Sequence, residues 1–304
     1  MSHGGGAPRP EGVNRTDTAV FGRERARLVT IAYGIIGDLG EAEDVVQEAW
    51  LRMRRTHGIE DVAGWLVVVT SRLALDVVRS ARRRREDYVG PWLPEPLVDT
   101  TGPDPADRVT LDESVSTAML VVLETLSPAE RTAFVLREVF GHNYDDIADA
   151  VGRSPAAVRQ LTARARRHLR ENAPRFDADP TRHRAVAEAF ATACQGRDLD
   201  ALLELLDPDV VLRSDGGGVV SAARNPIVGA DKVSRFLVGV AGRISGFSTR
   251  PVRVNGGVGA LTFRGSRLHS ATSLTIADGR VTAVDSVLHP DKLARTRALL
   301  DAPN

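Results

Sequence analysis

The sequence predicts a multidomain chain: two all-α modules, the second a helix-turn-helix, followed by an α+β domain. Three observations predict it. Residues 126–170 carry helix start and stop signals at helix-turn-helix spacing. Residues 21–86 place apolar side chains at helical intervals, and beyond residue 180 helices give way to alternating, glycine-punctuated strands. Helices followed by a run of antiparallel strands pack as helices on a curved sheet. At 304 residues the chain has room for two or three modest domains, each with its own core.

The helix-turn-helix is the most specific stretch. Ser127-Pro128-Ala129-Glu130 has capping-box spacing, with proline at the first helical position where a missing N–H is no loss. Asn143 opens a second helix, with Asp145 and Asp146 near its positive end; Gly152 closes it, and Ser154-Pro155 opens a third. On that third helix Val158, Leu161, Ala165 and Leu169 share one face, and Arg153, Gln160, Arg164, Arg167 and Arg170 lie opposite, flanked by Arg159 and Arg166. No carboxylate interrupts residues 153–170. Such a face meets phosphates with arginine and offers Arg159 and Gln160 to base edges in the major groove. A solvated basic face on an ordinary bundle helix is the competing reading, and caps, pattern and unbalanced charge together favour DNA.

Formal net charge is +0, so the argument for nucleic acid rests on charge distribution rather than balance. Lys232 and Lys292 are the only lysines, a bias that cautions against reading every arginine as a chosen phosphate fork. A single cysteine, Cys194, excludes an intramolecular disulfide and a multi-cysteine zinc site, and no cofactor or metal is expected. No apolar run reaches membrane-spanning length, and the start lacks a signal-peptide core, so no membrane partner and a cytoplasmic location are expected.

In order, residues 1–20 read as a disordered lead. Residues 21–86 form the first helical module, broken at Gly37-Asp38-Leu39-Gly40 and followed by a polar loop over 56–64. Its second helix turns Val45, Val46, Ala49, Trp50 and Met53 inward and carries Asp44, Gln47 and Glu48 outward. Its third helix bears Arg72, Arg79, Arg82 and Arg83 as a cationic strip, which a helix end also accommodates without function. Residues 87–110 are a proline-rich linker whose Trp92, Leu93 and Pro94 are expected to dock on a folded surface. Residues 111–172 hold the helix-turn-helix with a lead-in helix over 112–126, and residues 181–304 the α+β domain. A domain of that kind readily encloses a pocket, which leaves room for a small ligand of unknown identity.

EAEDVVQEAWLRM, WLVVVTSRLALDVVRSARRRR and the helix-turn-helix, in that order, resemble an extracytoplasmic-function sigma factor of the sigma-70 family. GPWLPEP, the DGGG turn at Asp215, Gly216, Gly217 and Gly218, and HPDKL with Asp291 and Lys292 resemble marks of the sub-group with a fused SnoaL-like domain of the NTF2-like, cone-shaped fold. The resemblance implies partners and roles. Asp44, Gln47 and Glu48 would dock on the largest-subunit clamp helices of core RNA polymerase. Arg72, Arg79, Arg82 and Arg83 would hold the −10 element of promoter DNA. The −35 element would fall to Arg153, Arg159, Gln160, Arg164 and Arg167. Trp92, Leu93, Pro94, Asp215, Gly216, Gly217, Asp291 and Lys292 would form an inter-domain regulatory contact. Val219 stands where the sub-group has lysine, and His289 where it has asparagine.

Two rival readings remain from other classes. The C-terminal domain as a cyclase or isomerase would need Asp215, Asp285, His269 or His289 as a general base in a dry pocket, yet the sequence shows no paired spacing for one. A stand-alone helix-turn-helix regulator would bind duplex DNA and never join polymerase. The reading adopted is a non-enzymatic sigma factor modulated in cis.

Overall fold

The computed structural model describes residues 15–85, 88–99, 116–172, 180–243 and 246–301. Helix α1 (Arg15–Ile36) begins inside the segment expected to be a disordered lead. Asp17 in its first turn complements the exposed N–H groups there, and the helix carries on from it into the apolar stretch. Gly37 ends α1 at φ +79°, and a Cβ there would lie 2.9 Å from the Trp92 ring. Asp38 then caps α2 (Leu39–Met53) by accepting from the Glu41 amide at 2.9 Å. Helix α3 (Val62–Arg85) packs across both, with Leu66, Ala74 and Leu75 fully buried.

The linker supplies a two-residue strand, β1 (Val98–Asp99). Helix α4 (Thr117–Leu123) follows, capped by Ser116; residues 111–115 of the expected lead-in helix and 100–110 of the linker lie outside the described residues. Helix α5 (Pro128–Phe134) has the reciprocal Ser127–Glu130 capping box and runs on into a π-helical turn, Val135–Val139, that the sequence does not foretell. Helix α6 (Tyr144–Val151) starts at Asn143, whose side chain accepts from the Asp145 and Asp146 amides, and ends at Gly152, φ 69°. Along α7 (Pro155–Asn172), Val158, Leu161, Ala165 and Leu169 are all buried.

Length suggested a core for each helical module, but the structure has one core across both. Ile31, Ile35, Leu66 and Leu75 of the first module pack in the same cluster as Phe134, Val135, Ile147 and Leu161 of the second. Gly34 permits the approach, since a Cβ there would sit 3.3 Å from the Val135 side chain.

The last domain begins with α8 (Pro180–Gly196) and α9 (Leu199–Leu205). Strands β2 (Leu206–Asp215) and β3 (Ile227–Val228), helix α10 (Ala230–Arg243), and strands β4 (Phe247–Val254), β5 (Gly257–Arg264), β6 (Arg267–Ala277) and β7 (Arg280–Val287) follow, with α11 (Ala294–Asp301) last. Sheet order is β1-β4-β5-β6-β7-β2-β3; β2 and β7 pair in parallel and the other described neighbours antiparallel. Alternation puts Leu274 and Val284 on the face covered by α8, α9 and α10, and Ala271 and Val287 on the other, against Leu93 of the linker and Leu293. The short strands β1 and β3 and helix α11 are additions to what the sequence suggested.

Candidate functional site

WLPEP, DGGG and HPDKL meet at one carboxylate. Asp215, at the end of β2, is fully buried. It accepts from the Tyr88 hydroxyl at 2.5 Å, the Leu93 amide at 2.8 Å and the Lys292 ammonium at 2.7 Å. Lys292 also donates to the Leu93 carbonyl and lies 4.0 Å from the centroid of the Trp92 ring. The Asp215 carbonyl receives the Leu288 and His289 amides, so the same residue fixes the approach to HPDKL. Pro94 is buried beside Leu93. A Cβ on Gly216 would meet the Val220 carbonyl oxygen at 2.5 Å, and one on Gly217, at φ 58°, would overlap the His289 ring. Both positions therefore require glycine.

The two departures have separate accounts. Val219 is 65% exposed at the tip of the turn, and the cation beside Asp215 is Lys292 instead. His289 accepts the Asp291 amide on Nδ1 at 3.2 Å, a bond an asparagine oxygen would also make; the carboxylate of Asp291 is on an exposed residue. A cavity of about 440 Å³ opens beside this junction, lined by Val89 and Gly90 of the linker and by Ser214, Gly216, Val220 and Arg224.

A second junction escaped sequence reading. Tyr33 of α1 donates its hydroxyl proton to the Glu95 carbonyl at 2.7 Å and accepts from the Asn255 amide at 2.9 Å. Asn255 also accepts the Leu97 amide on its side chain at 2.7 Å and donates its own amide to the Leu97 carbonyl at 2.8 Å. These bonds continue into the antiparallel β1–β4 pair, so the linker extends the sheet by one strand. The Glu95 carboxylate accepts the Leu39 amide at 2.7 Å, at the start of α2. Burial pushes its pKa above the ordinary carboxylate range, while the Leu39 bond and Arg295 pull the other way. Arg295 of α11 completes the junction, 2.6 Å from Glu43 of α2. Asn255-Gly256 is the turn between β4 and β5, and nothing local in the sequence shows what the side-chain amide reaches.

The proposed outward faces differ in their surroundings. Asp44, Gln47 and Glu48 are exposed on α2, with Glu48 paired to Arg52 at 2.9 Å. Arg153, Arg159, Gln160, Arg164 and Arg167 are exposed on or just before α7. Arg164 pairs with Glu130 at 2.8 Å, and its neighbour Arg166 with Glu138 at 2.6 Å. Arg159 lies over the Tyr144 ring, 5.1 Å from its centroid. Arg72 points across to the second module and donates to the Asp149 carbonyl at 2.6 Å; Arg79 pairs with Asp76 at 3.3 Å. The side chains of Arg82 and Arg83 lie outside the described residues. Beside Arg72, the Thr70 and Ser71 hydroxyls are buried and have no hydrogen-bond partner among the described residues.

The groups available for acid–base chemistry are otherwise engaged. Asp215 holds the linker, and buried Asp285 is paired with Arg213 at 3.0 Å; burial raises its pKa, and Arg213 opposes the shift. His269 sits edge-on to Phe247 at 4.9 Å, its pKa lowered by burial and by Arg264. Among the described residues no helix is long and apolar enough to cross a membrane.

An acidic helix, an arginine-edged helix and a helix-turn-helix follow one another in this order along the chain. Residues 20–84 match Sigma-70 region 2, and residues 116–169 match Sigma-70, region 4. The chain is 40% identical over 289 residues to the probable ECF RNA polymerase sigma factor SigI of Mycobacterium tuberculosis, covering 93% of this chain and 97% of that protein. It is 38% identical over 291 residues to the ECF RNA polymerase sigma factor SigJ of the same species, covering 91% and 93%. The crystal structure of Mycobacterium tuberculosis SigJ superposes with a TM-score of 0.74 at 37% identity, covering 91% of this chain and 98% of that one. The chain belongs to the extracytoplasmic-function sigma factors: it is an alternative sigma factor that directs RNA polymerase to promoters. Its C-terminal domain is an α+β domain with helices packed on one sheet.

Proposed function

We propose that this sigma factor is regulated in cis, its C-terminal domain holding the linker so that the two promoter-reading modules stay packed together. The observation that carries this reading is the Asp215 junction, where one buried carboxylate binds linker residues 88 and 93 and Lys292 at once. In this reading Trp92, Leu93, Pro94, Gly216, Gly217 and Asp291 shape the contact around it. Core polymerase docks its clamp helices on Asp44, Gln47 and Glu48 in the cytoplasm. Arg72, Arg79, Arg82 and Arg83 hold the −10 strand once the second module has moved aside. Arg153, Arg159, Gln160, Arg164 and Arg167 meet the −35 duplex. The C-terminal domain acts through these contacts rather than through catalysis, since its best-placed carboxylate is committed to the linker.

Run-off transcription with purified core polymerase tests the reading. Wild-type protein, Asp215→Ala and a protein ending at residue 172 are compared on genomic promoter templates. Release of the linker in Asp215→Ala should raise initiation. The shortened protein also exposes Trp92 and Leu93, so the point variant is the cleaner measure. Equal output from all three proteins would overturn regulation in cis, and no transcript from any of them with core would overturn the sigma role itself.

A further inference from the structure

We infer that Tyr144 is a positioning residue for −35 recognition: its ring holds the Arg159 guanidinium so that the arginine fork reads a guanine. The inference rests on the −35 role proposed for α7 and names both the base and the residue that prepares its reader.

Arg159 is the fifth residue of α7, in the N-terminal part from which a recognition helix reaches base edges. Its surroundings set it apart from the other arginines of that helix. Arg164 and Arg166 have nitrogens taken by Glu130 and Glu138, and a phosphate or base must displace a carboxylate to reach them. Arg159 makes no ion pair among the described residues and lies over an aromatic ring instead. A contact with a ring uses the charge of the guanidinium and leaves its N–H donors without a carboxylate to displace.

The ring is itself fixed. Tyr144 is the first residue of α6, directly after the Asn143 cap, and is half-buried against the helical core. Arg137 lies over the same ring at 4.6 Å and is tied down by donating to the His142 carbonyl at 2.9 Å. A guanidinium held beside a fixed ring, with no carboxylate on its fork, matches the paired O6 and N7 acceptors of guanine in the major groove. Lysine at 159 would keep the charge and lose the fork.

The test uses full-length protein with core polymerase on promoter templates whose −35 hexamer is randomised, with transcribed templates counted by sequencing. Wild type should favour guanine at one −35 position by about tenfold or more. Tyr144→Leu should bring that position close to parity and leave the others unchanged, and Tyr144→Phe should keep the preference. Arg159→Ala, at an exposed site that does not threaten folding, should match Tyr144→Leu at that position. Placing 7-deazaguanine at that position removes only N7; it should lower use by wild type and leave Arg159→Ala indifferent. Guanine preference surviving in Tyr144→Leu, or all positions relaxing alike, overturns the inference. Absence of transcription from every template points instead to failure of the sigma role.

Discussion

Asp215 and Glu95 hold the same linker by opposite electrostatic arrangements. Asp215 has a buried ammonium beside it, so removing either partner strands the other charge, and this typically costs about 3–5 kcal/mol. Asp215→Ala and Lys292→Met should each lower the thermal midpoint of the full chain, and the double variant should lose less than the sum. Strictly additive losses in calorimetry would show that the two groups are not coupled. Glu95 is dominated by burial, with Arg295 as far as 3.7 Å away. Its pKa is raised in the docked chain and returns to the ordinary 4.5 when the linker is released. The docked state therefore binds the proton more tightly. Docking strengthens as pH falls through the raised value, is strongest below 4.5, and weakens as pH rises again. Glu95→Gln should flatten that part of the pH dependence, read as the difference in thermal midpoint between variant and wild type from pH 7 down to pH 5. Parallel curves for the two proteins would remove Glu95 as the source.

At the scale of elements, the linker works as a strand and as a helix cap. Strand β1 is only two residues long, and two ladder pairs alone would not hold an edge. Asn255 extends the pairing by one residue on each strand, through its two bonds to Leu97, and its side chain ties the strand to Tyr33. Asn255→Gly keeps the left-handed turn, φ 48° in the native chain, while deleting the side-chain bonds. Leaving the half-buried Leu97 donor unpaired should weaken docking by about 1 kcal/mol, seen as faster hydrogen exchange at the Leu97 amide. Arg295→Ala, which removes a pair whose arginine is 40% exposed, should change that exchange by no more than about 1 kcal/mol. If both variants exchange at the wild-type rate, the strand is held by burial of Leu93 and not by Asn255.

Across the whole molecule, what could be read from sequence divides by distance along the chain. The buried stripe of α7, the Ser127–Glu130 box and the Gly152 stop depend on neighbours within a turn or two, and the sequence shows them directly. The Tyr33–Asn255 bond joins residues 222 apart, and the core shared by the helical modules joins α1 to α5; no local period encodes either. That shared core has a mechanical consequence. Elements named −10 and −35 lie some 25 base pairs apart, roughly 85 Å of duplex at 3.4 Å per pair. Helices α3 and α7, of 24 and 18 residues, are only about 36 and 27 Å long, and their modules touch through Arg72 and Asp149. If α3 takes the −10 element and α7 the −35 element, as proposed, the packed arrangement cannot span both and the modules must part for initiation; Asp44, Gln47 and Glu48 are exposed in the packed arrangement. Arg27 and His142 meet across the modules at 3.4 Å and belong to none of the recognition faces, which makes them suitable for a lock. In a Cys194→Ser background, Arg27→Cys and His142→Cys joined by a short cleavable bismaleimide should co-migrate with core polymerase yet give no transcript. Reductive cleavage of the bridge should restore initiation to the level of the uncrosslinked variant. Initiation by the bridged protein at that same level would mean that separation of the modules is not needed.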